Sequence, residues 1–195
     1  MKNQKRSLIT VRILLIILTI SIMFAVYTWS VLLYMQREKM EFKEASWDDR
    51  CLLYNKMISI EQDLGYLEFT KGEIKEHILK VKNPSLHFEI TVNLSGNTKG
   101  LTSTCLRIIL IDPDLDSVYY GYVLMHEYVH LDNFISDERL TDFLTIKYLW
   151  ESDDIFLKYI VCRIVEQKIM FDDFQNKDYD CTAQLIEYFK GENVL

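Results

Sequence analysis

TCLRIILIDPDLDSVYYGYVLMHEYVHLDNF, residues 104–134, is the stretch on which the reading of this chain turns. Its first eight residues, Thr104 to Ile111, are rich in β-branched side chains and predict a strand. Asp112-Pro-Asp-Leu-Asp116 supplies a turn and several candidate caps, and Ser117 to Phe134 has helical length with an apolar face. The middle of that helix carries His126-Glu127-Tyr128-Val129-His130.

Upstream, Leu86 to Leu94 alternates in part and predicts a second strand, and the Ser-Gly-Asn-Thr-Lys-Gly turn before Leu101 makes a hairpin of the two. Thr70 to Val81 predicts a short helix, stopped near Asn83-Pro84 because the residue before a proline is pushed out of the α region. From Gln36 to about Leu67 the chain is charged, then amphipathic, with Leu52, Leu53, Met57, Ile60 and Leu64 at helical spacing. Downstream, helices are expected over Asp137 to Trp150, Asp153 to Met170 and Cys181 to Lys190, the last two separated by the polar run FDDFQNKDYD. Strands do not alternate with helices and no glycine-rich phosphate loop is present. The expected class is α+β, mainly helical with a short β-hairpin or small sheet.

Ile13 to Met35 runs 23 residues without a charge, against the roughly 20 that a helix needs to cross a bilayer. The expected organisation is therefore a basic segment over 1–12, a transmembrane helix over 13–35 and a body over 36–195. The apolar run is too long for a signal peptide and no small-x-small cleavage site follows it. Basic residues ahead of the run favour a single-pass cell-membrane anchor with an extracytoplasmic body. Four of the 22 basic residues and none of the 29 acidic ones precede position 36, so the body carries −11, which argues against a nucleic-acid partner. Cys51, Cys105, Cys162 and Cys181 form no CxxC pair and are expected to be ordinary buried thiols, or one or two disulfides in an oxidising compartment.

His126 and His130 are four residues apart, so on a helix both imidazoles share a face and can bind one Zn²⁺, while Glu127 reaches the same edge. Zinc lowers the pKa of a bound water, and the adjacent carboxylate takes its proton as the oxygen attacks a carbonyl. The chemistry implied is metal-assisted hydrolysis, most often of a peptide bond. A catalytic zinc needs a third protein ligand and leaves one position open. Glu138 is the candidate, with Asp142, four residues on, as the carboxylate that fixes one histidine's tautomer. Asp137 or Asp142 is the alternative ligand. Tyr148, Tyr122 and His87 are candidates to stabilise the oxyanion, Tyr148 first among them.

The pair of motifs, His126-Glu-Tyr-Val-His130 and Glu138-Arg-Leu-Thr-Asp142, resembles the gluzincin branch of the zincin metallopeptidases, most closely its minimal members. The resemblance spans about residues 86 to 150. It implies a small zincin-like domain, a protein or peptide substrate, and substrate binding along the edge of the strand from Cys105 to Ile111 by β-augmentation. The expectation is thus a membrane-anchored zinc endopeptidase with Glu127 as general base. The alternative is a non-catalytic membrane-anchored module that keeps the fold, against which the intact Glu127 speaks.

Overall fold

A computed structural model of the chain describes residues 15–29, 41–81, 88–96, 98–169 and 180–195. The chain divides into two compact units, Met1–Lys39 and Met40–Leu195.

In the first unit, residues 15–29 form helix α1, whose large apolar side chains are exposed. Among the described residues no helix is long and apolar enough to cross a membrane. The transmembrane helix expected over 13–35, and with it the single-pass anchor and the extracytoplasmic placement, is therefore not supported. An uncharged run meets the compositional requirement for a span, but a span also needs continuous helix across the core, and the described residues hold no helix of that length; residues 13–14 and 30–35 of the expected span lie outside them. The basic residues expected to orient an anchor lie outside the described residues.

The second unit is mainly helical with one small sheet. Helix α2, Trp47–Leu64, carries the helical spacing expected between Gln36 and Leu67. Ser46 is extended at φ −68° and ψ 160°, and its hydroxyl accepts the Asp49 N–H at 3.2 Å, so the helix starts afresh there. Helix α3, Lys71–Val81, opens on a capping box: Thr70 Oγ1 accepts the Glu73 N–H at 3.2 Å while Glu73 Oε2 accepts the Thr70 N–H at 2.8 Å. The proline stop at Pro84 lies outside the described residues, as does most of the polar run before Cys181.

The expected hairpin is replaced by a three-stranded sheet in the order β1-β3-β2, with β1 Phe88–Thr91, β2 Gly100–Ser103 and β3 Ile108–Ile111. β1 runs parallel to β3, with Phe88 opposite Ile108, and β2 runs antiparallel, with Gly100 opposite Ile111. The reason is local: residues 104–107, expected to start the long strand, form a turn instead, with Arg107 at φ 52°. That turn makes the hairpin between β2 and β3. β3 is therefore the central strand with both edges occupied, and the expected substrate edge on Cys105 to Ile111 is not there to be used.

Helix α4, Ser117–Asn133, packs against β2, β3, α3, α5 (Glu138–Glu151) and α6 (Ile155–Gln167). Asp116 caps it, accepting the Tyr119 N–H at 2.8 Å. Ile109 and Ile111 are fully buried on the sheet face toward the helices. Gly121 lets α4 approach α3 and α6: a Cβ there would lie 2.7 Å from Ile160 Cδ1 and 3.0 Å from Ile74 Cγ1. Helix α7, Thr182–Gly191, closes the domain through buried Leu185, Ile186 and Phe189. Cys162 and Cys181 are buried as expected of free thiols, whereas Cys105, in the turn, is exposed.

Candidate metal centre

Two helices and a four-residue connection build the site. α4 ends at Phe134, whose left-handed backbone (φ 55°, ψ 33°) turns the chain while its N–H still reaches His130 O at 3.0 Å. Asp137 caps α5, accepting the Leu140 N–H at 3.1 Å. This reversal lays the first turn of α5, with Glu138, beside the last turns of α4, with His126 and His130. It also supplies a partner: the Ile135 carbonyl accepts from His130 Nδ1 at 2.7 Å.

His126 Nε2, His130 Nε2 and Glu138 Oε2 form a triangle with sides of 3.0, 3.0 and 3.4 Å. Three ligands of a tetrahedral zinc at 2.0–2.1 Å lie about 3.3 Å from one another, so this donor set fits a single such ion. Both Nδ1 atoms are turned toward acceptors, which leaves both Nε2 atoms as donors toward a metal. Glu138 forms the open side of the triangle, its side chain 42% exposed against 13% for each histidine. Asp137, the alternative ligand, is engaged as a helix cap. Asp142 stands behind the triangle, with Oδ1 2.9 Å from His126 Nδ1 in an oblique contact.

Asp142 is itself surrounded. Tyr122 Oη donates to Oδ1, and Lys168 Nζ lies 2.5 Å from Oδ2. Burial raises the Asp142 pKa, but the Lys168 ammonium and the His126 ring outweigh it and hold the carboxyl below its ordinary value. Burial works against a charged His126; the Asp142 and Glu138 carboxylates beside the ring outweigh it and lift it to about 9. His130 is raised in the same way, against burial, by Glu138 and the Ile135 carbonyl. Hydrogen bonds from both rings hold Glu138 well below the carboxylate range.

Glu127 points elsewhere, toward the sheet. It is buried, and Thr102 Oγ1 on β2 donates to its carboxylate at 2.6 Å and lies 3.1 Å from its backbone carbonyl. Burial raises its pKa, against the Thr102 hydrogen bond and the two imidazoles, which lower it. Gly100 makes room for this side chain: a Cβ there would stand 2.4 Å from Glu127 Oε1 and 2.7 Å from Val123 Cγ1. Glu127 is thus a retained carboxylate outside the donor triangle, with a pKa moved toward the range useful to a base.

Of the expected oxyanion candidates, Tyr122 has its hydroxyl committed to Asp142. Tyr148 lies nearly two turns beyond Asp142 on α5 and packs against the apolar cluster of Val129, Ile135 and Leu140. His87 lies outside the described residues. Gly100, Thr102 and Lys168 were not foreseen as site residues. The first two sit on a strand of four residues that reads as the tail of a turn, and Lys168 follows a helix with nothing in its neighbourhood to mark it. No family model, curated protein or solved structure matches the chain.

Proposed function

We propose that this chain is a zinc-dependent peptidase in which His126, His130 and Glu138 hold the metal and Glu127 is the general base. The observation that carries this reading is the division of labour among the four residues: three donors converge at tetrahedral spacing, and the fourth residue, a carboxylate next in sequence to a ligand, is hydrogen-bonded by Thr102 outside the triangle. The likeness of the two motifs to those of gluzincins supports the same reading. A purely structural zinc site closes all four positions with protein ligands, whereas among the described residues this set supplies three.

A zinc ion in the triangle would supply Lewis acidity, making water acidic near neutral pH and polarising the scissile carbonyl. Glu127 takes the proton of the attacking water and returns it to the leaving amine. Thr102 orients that carboxylate. The Ile135 carbonyl and Asp142 fix the His130 and His126 rings with Nε2 toward the ion.

The outer strand β2 is the place for the substrate. Asp112 N–H donates to Lys99 O at 3.0 Å, so in the antiparallel register the bonded pairs fall at Lys99, Leu101 and Ser103. The backbone groups of Gly100 and Thr102 therefore point away from β3, along an edge that no described strand occupies. A peptide adding there as a fourth strand would pass beside Glu127, whose side chain lies against both residues.

The decisive comparison is cleavage of a degenerate peptide library by zinc-loaded wild type and Glu127→Gln. Cleavage by wild type alone is expected. Equal cleavage by both proteins, or none by either, would refute the peptidase.

A further inference from the structure

Asp142 is 3% exposed, and a buried carboxylate can fix the ring it faces only if it is itself held still. Its two oxygens are addressed from different elements. Oδ1 faces His126 Nδ1 from α5 and receives the Tyr122 hydroxyl from α4, while Oδ2 takes the Lys168 ammonium at 2.5 Å. Lys168 lies just past the end of α6, where the backbone N–H still reaches Ile164 O and Val165 O. Its ammonium also sits 5.3 Å from the centre of the Tyr122 ring, itself 5.9 Å from the His126 ring. One cation from a third helix thus touches both residues that back His126.

From this geometry we propose that Lys168 is a positioning residue of the metal centre. It clamps Asp142 through Oδ2 so that Oδ1 holds the His126 ring with Nε2 toward the ion. The inference rests on the zinc reading and extends it to a residue outside either motif. It also closes the charge balance: a dication and one ammonium match the carboxylates of Glu127, Glu138 and Asp142. A surface lysine that merely favours a helix C-terminus has no such requirement, since it stays in water; the Lys168 side chain is only 21% exposed.

The test is Zn²⁺ affinity of the full chain, by competition with a chromophoric chelator, together with the His126 tautomer by long-range ¹H–¹⁵N NMR. Wild type is compared with Lys168→Met, Lys168→Arg, Asp142→Asn and the double variant Lys168→Met/Asp142→Asn. Lys168→Met is expected to weaken Zn²⁺ about 10- to 100-fold and to mix the His126 tautomers, with Lys168→Arg restoring much of both. The double variant is expected to bind as Asp142→Asn does, because Lys168 acts only through that carboxylate. It carries the test even if Lys168→Met fails to fold, since it removes both buried charges together. Wild-type affinity and tautomer in Lys168→Met, or a double variant weaker than Asp142→Asn, would overturn the role of Lys168 while leaving the zinc site standing. Absence of Zn²⁺ binding by wild type would overturn the metal reading itself, and this proposal with it.

Discussion

His126 Nε2 and His130 Nε2 face one another at 3.0 Å. With the Ile135 carbonyl at one Nδ1 and the Asp142 carboxylate at the other, both rings turn the same kind of atom inward, toward Glu138. Three electron-rich atoms at this spacing repel one another unless a cation sits among them. A proton on His126 answers the need in part, and a dication answers it fully.

Zinc should therefore stabilise the fold. At a free concentration one hundred times its Kd, a ligand that binds only the native state contributes about 2.7 kcal/mol. For a domain of this size that corresponds to a rise in Tm of about 5–10 °C. Differential scanning calorimetry should show the rise for wild type, its loss on chelation, and no response in His126→Ala.

Replacing Glu127 with Gln keeps the size of the side chain and removes the base. Peptide hydrolysis should fall about 10²- to 10⁴-fold at unchanged zinc content. Steady-state kinetics beside elemental analysis check both halves, and a matching fall in bound zinc would make Glu127 a ligand instead.

Thr102→Val preserves shape while deleting the hydrogen bond that lowers the Glu127 pKa. The acid limb of the kcat/KM profile should move to higher pH, because the carboxylate then ionises later. Gly100→Ala is harsher: its methyl group would collide with Glu127 and Val123, costing about 1–3 kcal/mol of stability together with most of the activity. Urea melts and pH-rate profiles separate the two effects, and an unshifted acid limb in Thr102→Val would remove Thr102 from the site.

Without zinc, the stability of the chain should depend on pH through His126. Its folded pKa of about 9 lies above the unfolded value of about 6.5. The folded state then holds a proton that the unfolded state has released. The contribution is complete below about pH 6.5 and is lost as pH rises through about 9. Chemical denaturation of the chelated protein should show this decline, and His126→Gln should reduce it, leaving the smaller part that the raised His130 contributes.

How much of this was legible in the sequence depends on whether the information was local. The i, i+4 spacing places His126 with His130, and Glu138 with Asp142, on single helix faces, and a short polar connection folds one helix back on the other. Sheet order is not local. Residues 104–107 have strand composition but serve as a reversal, because pairing Gly100–Ser103 with Ile108–Ile111 needs a turn there. Composition alone therefore puts an edge strand over Cys105 to Ile111, where the fold has the central strand β3 and gives the edge to β2. Hydropathy over 13–35 reports composition, whereas a span also needs continuous helix, and no helix among the described residues is long and apolar enough to cross a membrane. Lys168 reaches Asp142 across 26 residues of chain, and nothing in its own neighbourhood points there.

The most direct measurement is zinc-edge X-ray absorption on the full chain reconstituted with one equivalent of Zn²⁺. The expected result is four nitrogen or oxygen ligands at about 2.0–2.2 Å, with the multiple scattering of two imidazoles that drops to one in His130→Ala. Failure to retain zinc, or a spectrum without imidazole scattering, would contradict the site.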